Sequence, residues 1–261
     1  MNRIEVFIAT WNSEKTIESC LKSIKDTIPL PDIVIFDRNS TDRTKSIAEC
    51  YGAKIISGEW NIGETRSLMC KFAKGKWFIM VDSDVYLEPD WFKIMVKYRD
   101  EILKYDSFVG ALHGQSTPIY EPFRSYVLFE RKNWSYPVKS IKRLDTCNTM
   151  LNRDAVKGFQ TNAAVFEDYL LGEYLKTNGY NYYEIPAQAK HDTGQKDKLK
   201  KHARWAGAGM RIYGGVPFWK MFAALIRNPL FIYPFGLKRF GFFLHWNWLI
   251  GWIRCKNYLE L

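Results

Sequence analysis

The chain has 261 residues, of which 47% are hydrophobic and 25% are charged, enough for one large or two small domains with a sizeable core. This composition excludes an intrinsically disordered chain. The formal net charge of +10 lies entirely in the last part of the chain: from Lys190 onward there are 13 Lys and Arg against three acidic residues. A neutral body with a basic, aromatic-rich tail favours an anionic membrane surface over nucleic acid as the partner.

The first hundred residues predict alternating strands and helices joined by short loops. Strands are predicted at residues 3–9, 32–37, 53–57 and 76–82, and helices at 14–25, 42–51, 64–74 and 90–103. Near-continuous apolar strands between amphipathic helices indicate an α/β fold with a mostly parallel sheet covered by helices on both faces. Because such sheets bind ligands beyond the carboxyl ends of their strands, we expect the polar stretches ATWNSE, DRNSTD and DSD to face one crevice.

The rest of the chain is less regular. SFVGALHG predicts a strand, and a helix is predicted around residues 121–133. FEDYLLGEYLKTNGY predicts a helix that ends at Gly179, and NYYEIP predicts the strand that follows. From residue 196 a basic segment, KDKLKKHARWAGAGMR, leads into aromatic and apolar segments.

The cysteine residues and the N-terminal sequence indicate in which cellular compartment the protein is found. No two of the five cysteines lie within four positions of each other, which indicates a reducing compartment or small apolar core positions. MNRIEVFIATWN enters a predicted strand directly, without the hydrophobic region of a signal peptide. We therefore expect a cytoplasmic protein that is peripheral on the cytoplasmic face of a membrane.

Two acidic residues follow the fourth predicted strand, Asp82 and Asp84, with only Ser83 between them. Carboxylates this close repel each other, and a divalent cation would offset the repulsion. Mg²⁺ and Mn²⁺ prefer oxygen ligands and bridge to phosphates, so the pair predicts a site for a cation and a substrate diphosphate. The alternative is a strand-end turn in which one Asp caps the next helix, because so short a motif recurs by chance.

Four longer stretches share their order and spacing with one known family. IEVFIATWN matches its opening strand, and DIVIFDRNSTD its second strand and acidic loop. TRSLMCKFAKGKWFIMVDSD matches A-R-N-x-G-x-x-x-A-x-G, a strand and D-x-D, and FEDYLLGEYLKTNGYNYYEIPAQAKH matches E-D-x-x-L, a helix, K-x-G-Y, a strand, Pro and a later His. Across residues 3–191 the chain thus resembles the family 2 glycosyltransferases of the GT-A fold. The resemblance implies a GT-A domain at 1–215 that transfers sugar with inversion from a nucleotide-diphosphate donor.

The resemblance also implies a nucleoside pocket at the ends of the first two strands. Thr10 and Asn12 would line the pocket, and Asp37 would accept hydrogen bonds from base or ribose. Trp11 would stack on the base or pack against the sheet. Arg38 replaces an acidic residue of the family's motif; because arginine only donates, base recognition is altered or the side chain points away. The donor therefore stays open between UDP- and GDP-linked sugars.

For the diphosphate and the metal ion, the resemblance implies a second group of residues. Arg66 would approach the diphosphate, since a guanidinium suits phosphate geometry. Asp82 would bind the ribose or the metal ion, beside Ser83, which we count with the donor site. Asp84 would bind the metal ion directly. His191 would add an imidazole ligand, which favours Mn²⁺ somewhat over Mg²⁺.

On the acceptor side, the resemblance implies that Asp168 is the general base that deprotonates an acceptor hydroxyl. If the acceptor is a lipid phosphate, which is already ionised, Asp168 would instead position or repel it. Glu167 and Asn148 are further acceptor-side candidates, although an acid in the first turn of a helix is also favoured by the helix dipole. Arg204 and Trp205 resemble an R-W element of related transferases, or belong to a basic amphipathic helix.

The tail at residues 216–261 predicts helices that lie on a membrane. FGFFLHWNWLIGWI is shorter than the ~20 apolar residues that a membrane-spanning helix needs. Its tryptophans and flanking Lys and Arg residues are typical of elements in the headgroup plane. The alternative is that these helices only pack on the catalytic domain. A membrane position would suit a polyprenyl-phosphate or lipid-linked glycan acceptor.

Two other functions compete with this interpretation. A sugar nucleotidyltransferase usually carries a glycine-rich, basic phosphate loop after its first strand, and ATWNSEKT contains no glycine. A non-catalytic membrane or nucleic-acid binding module would not need acidic residues at three strand or helix ends.

Overall fold

The computed structural model describes residues 3–131, 139–140, 144–194, 196–213, 215–228 and 235–255. The chain divides into two compact units. The first comprises Met1–Thr117, Ser135–Asn162 and Glu167–Asp192, and the second Pro118–Trp134, Ala163–Phe166 and Thr193–Leu261. The domain boundary predicted at residue 215 falls inside the second unit.

Strands and helices alternate in the first hundred residues and then mix less regularly. In chain order they are β1 (Ile4–Thr10), α1 (Ile17–Thr27), β2 (Pro31–Asp37), α2 (Thr44–Cys50), β3 (Lys54–Ser57), α3 (Ile62–Phe72), β4 (Trp77–Asp82), β5 (Val85–Leu87), α4 (Trp91–Ile102), β6 (Val109–Pro118), α5 (Glu121–Arg131), β7 (Lys139–Ser140), β8 (Asn148–Asn152), α6 (Arg153–Val156), α7 (Glu167–Thr177), β9 (Asn181–His191), α8 (Lys196–Ile212), α9 (Phe218–Arg227) and α10 (Lys238–Ile253).

One mixed sheet organises the first unit, and the predicted α/β class is confirmed. The strand order is β3-β2-β1-β4-β8-β6-β9-β5, with β7 paired to β9. The first four strands are parallel to one another, as their apolar sequences predict. Strands β8, β9 and β5 enter antiparallel pairs, which need no crossover helix between partners.

Both faces of the sheet are buried, as the side chains of β1 illustrate. Val6 and Ile8 point to one face, where they pack in a cluster with Leu21 of α1. Phe7, between them, points to the other face and joins Met69 of α3. Successive side chains of a strand alternate between faces, so an uninterrupted apolar strand requires helices on both sides.

A capping box fixes the start of α3, the helix that carries Arg66. The side chain of Asn61 accepts a hydrogen bond from the backbone N–H of Glu64 (3.0 Å), and Glu64 Oε2 accepts one from the backbone N–H of Asn61 (2.9 Å). The two side chains thus satisfy two N–H groups that the helix itself leaves unpaired.

In the second unit, α8 and α10 cross with their backbones in contact. A Cβ atom on Gly207 would overlap the carbonyl group of Trp248, and one on Gly251 would overlap that of Arg204. Glycine is therefore required at both positions by close approach. Among the helices in the described ranges, none combines the length and the apolarity needed to cross a bilayer.

We expect Gly207→Ala to lower the free energy of unfolding by about 1–3 kcal/mol, because the added methyl group forces two backbones apart. This is the net loss after the gain of about 1 kcal/mol that alanine brings to a helix through its propensity. Urea unfolding of the full chain measures the effect. Gly236→Ala is the control, since a Cβ atom there has no neighbour within 4 Å. If the two variants are equally stable, the close contact between the backbones of α8 and α10 is contradicted.

Candidate active site

Polar side chains gather where β1, β2 and β4 end. Thr10 lies opposite Asp37 in the β1–β2 register, and Ala9 lies opposite Asp82 in the β1–β4 register. The ends of parallel strands therefore bring three predicted site residues to one edge of the sheet. That edge is where open α/β sheets bind their ligands.

Asp37 organises the loops at this edge. Its carboxylate is fully buried and accepts hydrogen bonds from Thr10 Oγ1 (2.9 Å), Ser40 N (2.7 Å) and Ser40 Oγ (2.5 Å). Asn12, with a positive φ of 48°, donates its backbone N–H to Ser40 Oγ (2.8 Å), and its side chain accepts from Thr41 N (2.9 Å). Thr10, Asn12 and Asp37 thus tie two strand-end loops together, and their contact with a nucleoside stays a prediction.

Trp11 and Arg38 form a pair beside these loops. The Trp11 side chain is 54% exposed, and the Arg38 guanidinium lies 5.0 Å from the centre of its ring. A guanidinium over an indole face is a cation–π interaction. The Trp11 ring, which is predicted to stack on a base, therefore has the positively charged guanidinium of Arg38 beside it. Nearby, Ser83 Oγ lies 3.0 Å from Ser13 Oγ and links the acidic turn to the first loop.

Arg66 lies inside the first unit, with only 2% of its side chain exposed. It donates a hydrogen bond to Asp82 Oδ1, and its Nε lies 4.0 Å from Glu167 Oε1. Burial alone would lower the pKa of Arg66, but the charges of Asp82 and Glu167 hold it above its ordinary value. The arginine is thus a permanent cation between two acidic side chains. Its predicted contact with a diphosphate stays a prediction.

Asp84 has a different partner. Its Oδ1 lies 3.3 Å from His191 Nε2, because β5 pairs with β9 so that Val85 lies opposite His191. Burial would lower the pKa of His191, but the hydrogen bond and the charge of Asp84 raise it. Two ligands of one cation at about 2.1 Å lie roughly 3.0–3.4 Å apart. Asp84 and His191 therefore fit two neighbouring positions around a divalent cation.

The acids at the start of α7 differ in their surroundings. Burial and the charge of Asp168 raise the pKa of Glu167 to about 8, although Arg66 opposes this shift. Glu167 therefore holds its proton more strongly than an exposed glutamate does. Asp168 Oδ1 accepts a hydrogen bond from the backbone N–H of Tyr169 (2.7 Å).

Asn148 is completely buried, and both ends of its amide are bound. Its Oδ1 accepts from Trp91 Nε1 (3.0 Å), and its Nδ2 donates to Ser116 Oγ (2.6 Å). These contacts fix the first residue of β8 in the sheet. Its proposed place on the acceptor side stays a prediction.

Arg204 and Trp205 lie on α8 in the second unit. Arg204 Nε donates to Asn247 Oδ1 of α10 (3.1 Å). The Lys201 ammonium lies 4.5 Å from the centre of the Trp205 ring, and the His202 ring stacks on it. Within that unit the two residues join helices and neighbouring side chains. Their predicted contact with an acceptor also stays a prediction.

Sequence reasoning missed one group near the acidic edge. Ring, carboxylate and thiol ligand atoms of His113, Asp145 and Cys147 all lie within 4.8 Å of one another. The group has no local motif, because His113 lies more than thirty positions before Asp145. Only the pairing of β6 with β8 brings the two segments together.

Comparison with known proteins identifies the family. The model of "Glycosyl transferase family 2" matches residues 5–159, more than half of the chain. An uncharacterized glycosyltransferase of Rickettsia bellii is 24% identical over 248 residues, 89% of this chain and 79% of that protein. The poly(ribitol-phosphate) beta-N-acetylglucosaminyltransferase TarS of Staphylococcus aureus is 33% identical over 111 residues, 39% of this chain but only 19% of that protein.

Solved structures support the same fold. The crystal structure of S. aureus TarS has a TM-score of 0.56 at 19% identity and covers 81% of this chain, which spans 40% of TarS there. Glucosyl-3-phosphoglycerate synthase from Mycobacterium tuberculosis, in complex with Mn²⁺, UDP and glucosyl-3-phosphoglycerate, has a TM-score of 0.58 at 20% identity, covering 82% of this chain and 81% of that one. The fold predicted from the motifs, GT-A, is confirmed. The chain belongs to glycosyl transferase family 2 and is a glycosyltransferase.

Proposed function

We propose that this glycosyltransferase is a metal-dependent, inverting enzyme that moves a sugar from a nucleotide-diphosphate donor to a lipid-linked acceptor at a membrane surface. The observation that carries the proposal is the Asp84–His191 pair, whose ligand atoms lie 3.3 Å apart at the edge where the parallel strands end. The family membership excludes the nucleotidyltransferase and non-catalytic alternatives.

Asp84 and His191 would hold Mn²⁺ or Mg²⁺, with the mixed oxygen and nitrogen set favouring Mn²⁺. When bound, such an ion would neutralise the charge that develops on the departing diphosphate. Support comes from the M. tuberculosis structure of the same fold, which is in complex with Mn²⁺ and UDP. A uridine nucleotide is therefore the first donor to test, with a GDP-sugar as the alternative.

Arg66 contributes by holding Asp82 rather than by facing solvent. Asp82 is the last residue of β4, and its contact with Arg66 fixes its carboxylate two residues before Asp84. A fixed Asp82 can accept a hydrogen bond from a ribose hydroxyl at the same strand edge. The donor would thus lie between the Trp11–Arg38 pair and the Asp84–His191 pair.

Asp168 is the general base of the proposed reaction. Its carboxylate lies in the first turn of α7, where Oδ1 accepts a hydrogen bond from the backbone N–H of Tyr169. Its carboxylate would take the proton of an acceptor hydroxyl during a single in-line displacement, which inverts the anomeric carbon. With a polyprenyl-phosphate acceptor no proton is removed, and Asp168 would orient the phosphate instead.

The second unit provides the proposed membrane surface. Phe218, Trp219, Phe222 and Ile226 are exposed on α9, whereas Met221 and Leu225 of the same helix are buried. On α10 the exposed apolar side chains are Phe242, Trp246 and Ile253. Lys and Arg residues accompany both helices, which suits anionic headgroups.

We expect Asp84→Asn to abolish the stabilisation that UDP and Mn²⁺ together give the protein, because a ligand of the ion loses its charge. Turnover should fall at least about 100-fold, as a loss of several kcal/mol of charge stabilisation implies. Thermal shifts with UDP, with and without Mn²⁺, and release of UDP from UDP-sugars measure both effects. Asp90→Asn, an exposed carboxylate, is the control. Normal metal-dependent UDP binding by Asp84→Asn would refute the metal assignment.

We expect Asp168→Asn to lower turnover by about 10²–10⁴-fold with a hydroxyl acceptor, because the proton acceptor is lost. Donor binding, measured by the same thermal shift, should not change. With a lipid-phosphate acceptor the variant should retain most of its activity, because no proton has to be removed. The size of the loss therefore distinguishes a hydroxyl acceptor from a lipid-phosphate acceptor. Full activity of the variant on a hydroxyl acceptor would show that Asp168 is not the base.

We expect the double variant Trp219→Ser, Phe222→Ser to bind vesicles of phosphatidylcholine and phosphatidylglycerol at least about tenfold more weakly, because aromatic area no longer enters the interface. Vesicle co-sedimentation of the full chain measures this. The control is Tyr105→Ser, which removes an exposed aromatic ring of the first unit. If the double variant and the control bind equally well, α9 is not the membrane surface.

A further inference from the structure

Three potential ligands meet beside the acidic edge of the sheet: a ring nitrogen of His113, a carboxylate oxygen of Asp145 and the Sγ of Cys147, here called the N/O/S cluster. These atoms all lie within 4.8 Å of one another. In the described part of the chain this is the single group of three or more such residues. Asp84 and His191 are not members of it, so the cluster is separate from the pair that suits Mn²⁺.

The sheet register places the cluster. His113 of β6 lies opposite Thr149 of β8, and β8 in turn pairs with β4. The backbone N–H of Asp82 donates to the carbonyl oxygen of Cys147 (2.9 Å), which puts Cys147 next to the acidic turn. Asp145 precedes Cys147 by two residues, and its Oδ1 accepts from Cys147 N (2.9 Å). Asp145 and Cys147 therefore lie just before β8, next to the end of β4, and His113 reaches them from the middle of β6.

A hydrogen-bond chain sets the tautomer of His113. The hydroxyl of Thr149 has one proton, which it donates to the backbone carbonyl oxygen of Asp145 (2.6 Å). It can therefore only accept from His113 Nδ1, which lies 3.1 Å away. Nδ1 carries the proton, and Nε2 keeps the lone pair that a metal ion needs. Such an outer partner, which orients the imidazole, is the usual companion of a histidine ligand.

Burial and ligand type point to one class of ion. His113 and Cys147 are 6% and 2% exposed, whereas Asp145 is exposed and leaves the cluster reachable from solvent. Mg²⁺ and Ca²⁺ prefer oxygen ligands, and a thiolate with an imidazole selects softer ions. Zinc binds His nitrogen, Cys sulfur and Asp or Glu oxygen, and sites with three protein ligands keep the fourth position for water.

We propose that His113, Asp145 and Cys147 bind a thiophilic divalent cation, Zn²⁺ by their chemistry, and leave a fourth coordination position open to water or a small oxygen ligand. Ligands of a tetrahedral zinc ion lie roughly 3.3–3.8 Å apart, so the three side chains close by about 1 Å on binding. Neither Asp84 nor His191 belongs to this ligand set.

Titration of the full-length protein with Co²⁺ tests the site, since cobalt takes zinc positions and a cysteine thiolate gives it a near-ultraviolet charge-transfer band. We expect the wild-type protein to show this band at one equivalent and to lose it when one equivalent of Zn²⁺ is added. Cys147→Ser should abolish the band, and His113→Gln should weaken cobalt binding at least about tenfold.

Matched variants identify the thiol and separate the two metal sites. Cys20→Ser removes a second buried thiol, whose Sγ lies 3.5 Å from the carbonyl oxygen of Asp82, and should leave the band unchanged. Asp84→Asn should also leave it unchanged, although it removes Mn²⁺-dependent UDP binding. The proposal would be overturned if the wild-type protein showed no cobalt–thiolate band, and this test does not depend on any variant folding. A band that survives Cys147→Ser and disappears in Cys20→Ser would also overturn it.

Discussion

The candidate site depends on one buried cation, Arg66, which holds Asp82 at the end of β4 and Glu167 at the start of α7. Three elements meet at this guanidinium, and α3, which carries it, is itself fixed by a capping box. Removing one partner of a buried charge pair costs about 3–5 kcal/mol, because the other charge remains in a poorly solvated place. The positions of the strand end and of the helix start are therefore coupled through a single side chain.

This coupling explains how neighbouring acids coexist at the edge of a hydrophobic core. Asp82 is neutralised by Arg66, and Asp84 by its contact with His191. Glu167 lies 4.0 Å from Arg66 Nε, and the positive charge of Arg66 opposes the rise in the pKa of Glu167 that burial and Asp168 cause. Each of these three acids therefore lies next to a basic side chain of the first unit.

The sequence predicted the parallel strands to within one or two residues, because uninterrupted apolar runs such as that of β1 occur only where both faces are covered. It did not predict β5, whose three residues carry no periodicity, or that β9 continues through Pro186 to His191. Spacing placed Arg66 and Glu167 near the site but not against each other, since that contact joins residues a hundred positions apart. The N/O/S cluster was missed for the same reason.

The length and the polar contacts of α10 bear on the proposal that the second unit binds the surface of a membrane. Its 16 residues reach about 24 Å, less than the ~30 Å of a hydrocarbon core. Its polar side chains are satisfied inside the second unit: His245 Nδ1 and Asn247 Nδ2 bind carbonyl oxygens one turn earlier, and Asn247 Oδ1 accepts from Arg204. The exposed apolar side chains of α10 include Phe242 and Trp246, whose rings stack on each other. Because His245 and Asn247 already have hydrogen-bond partners within the chain, they do not oppose contact of these rings with the proposed membrane surface.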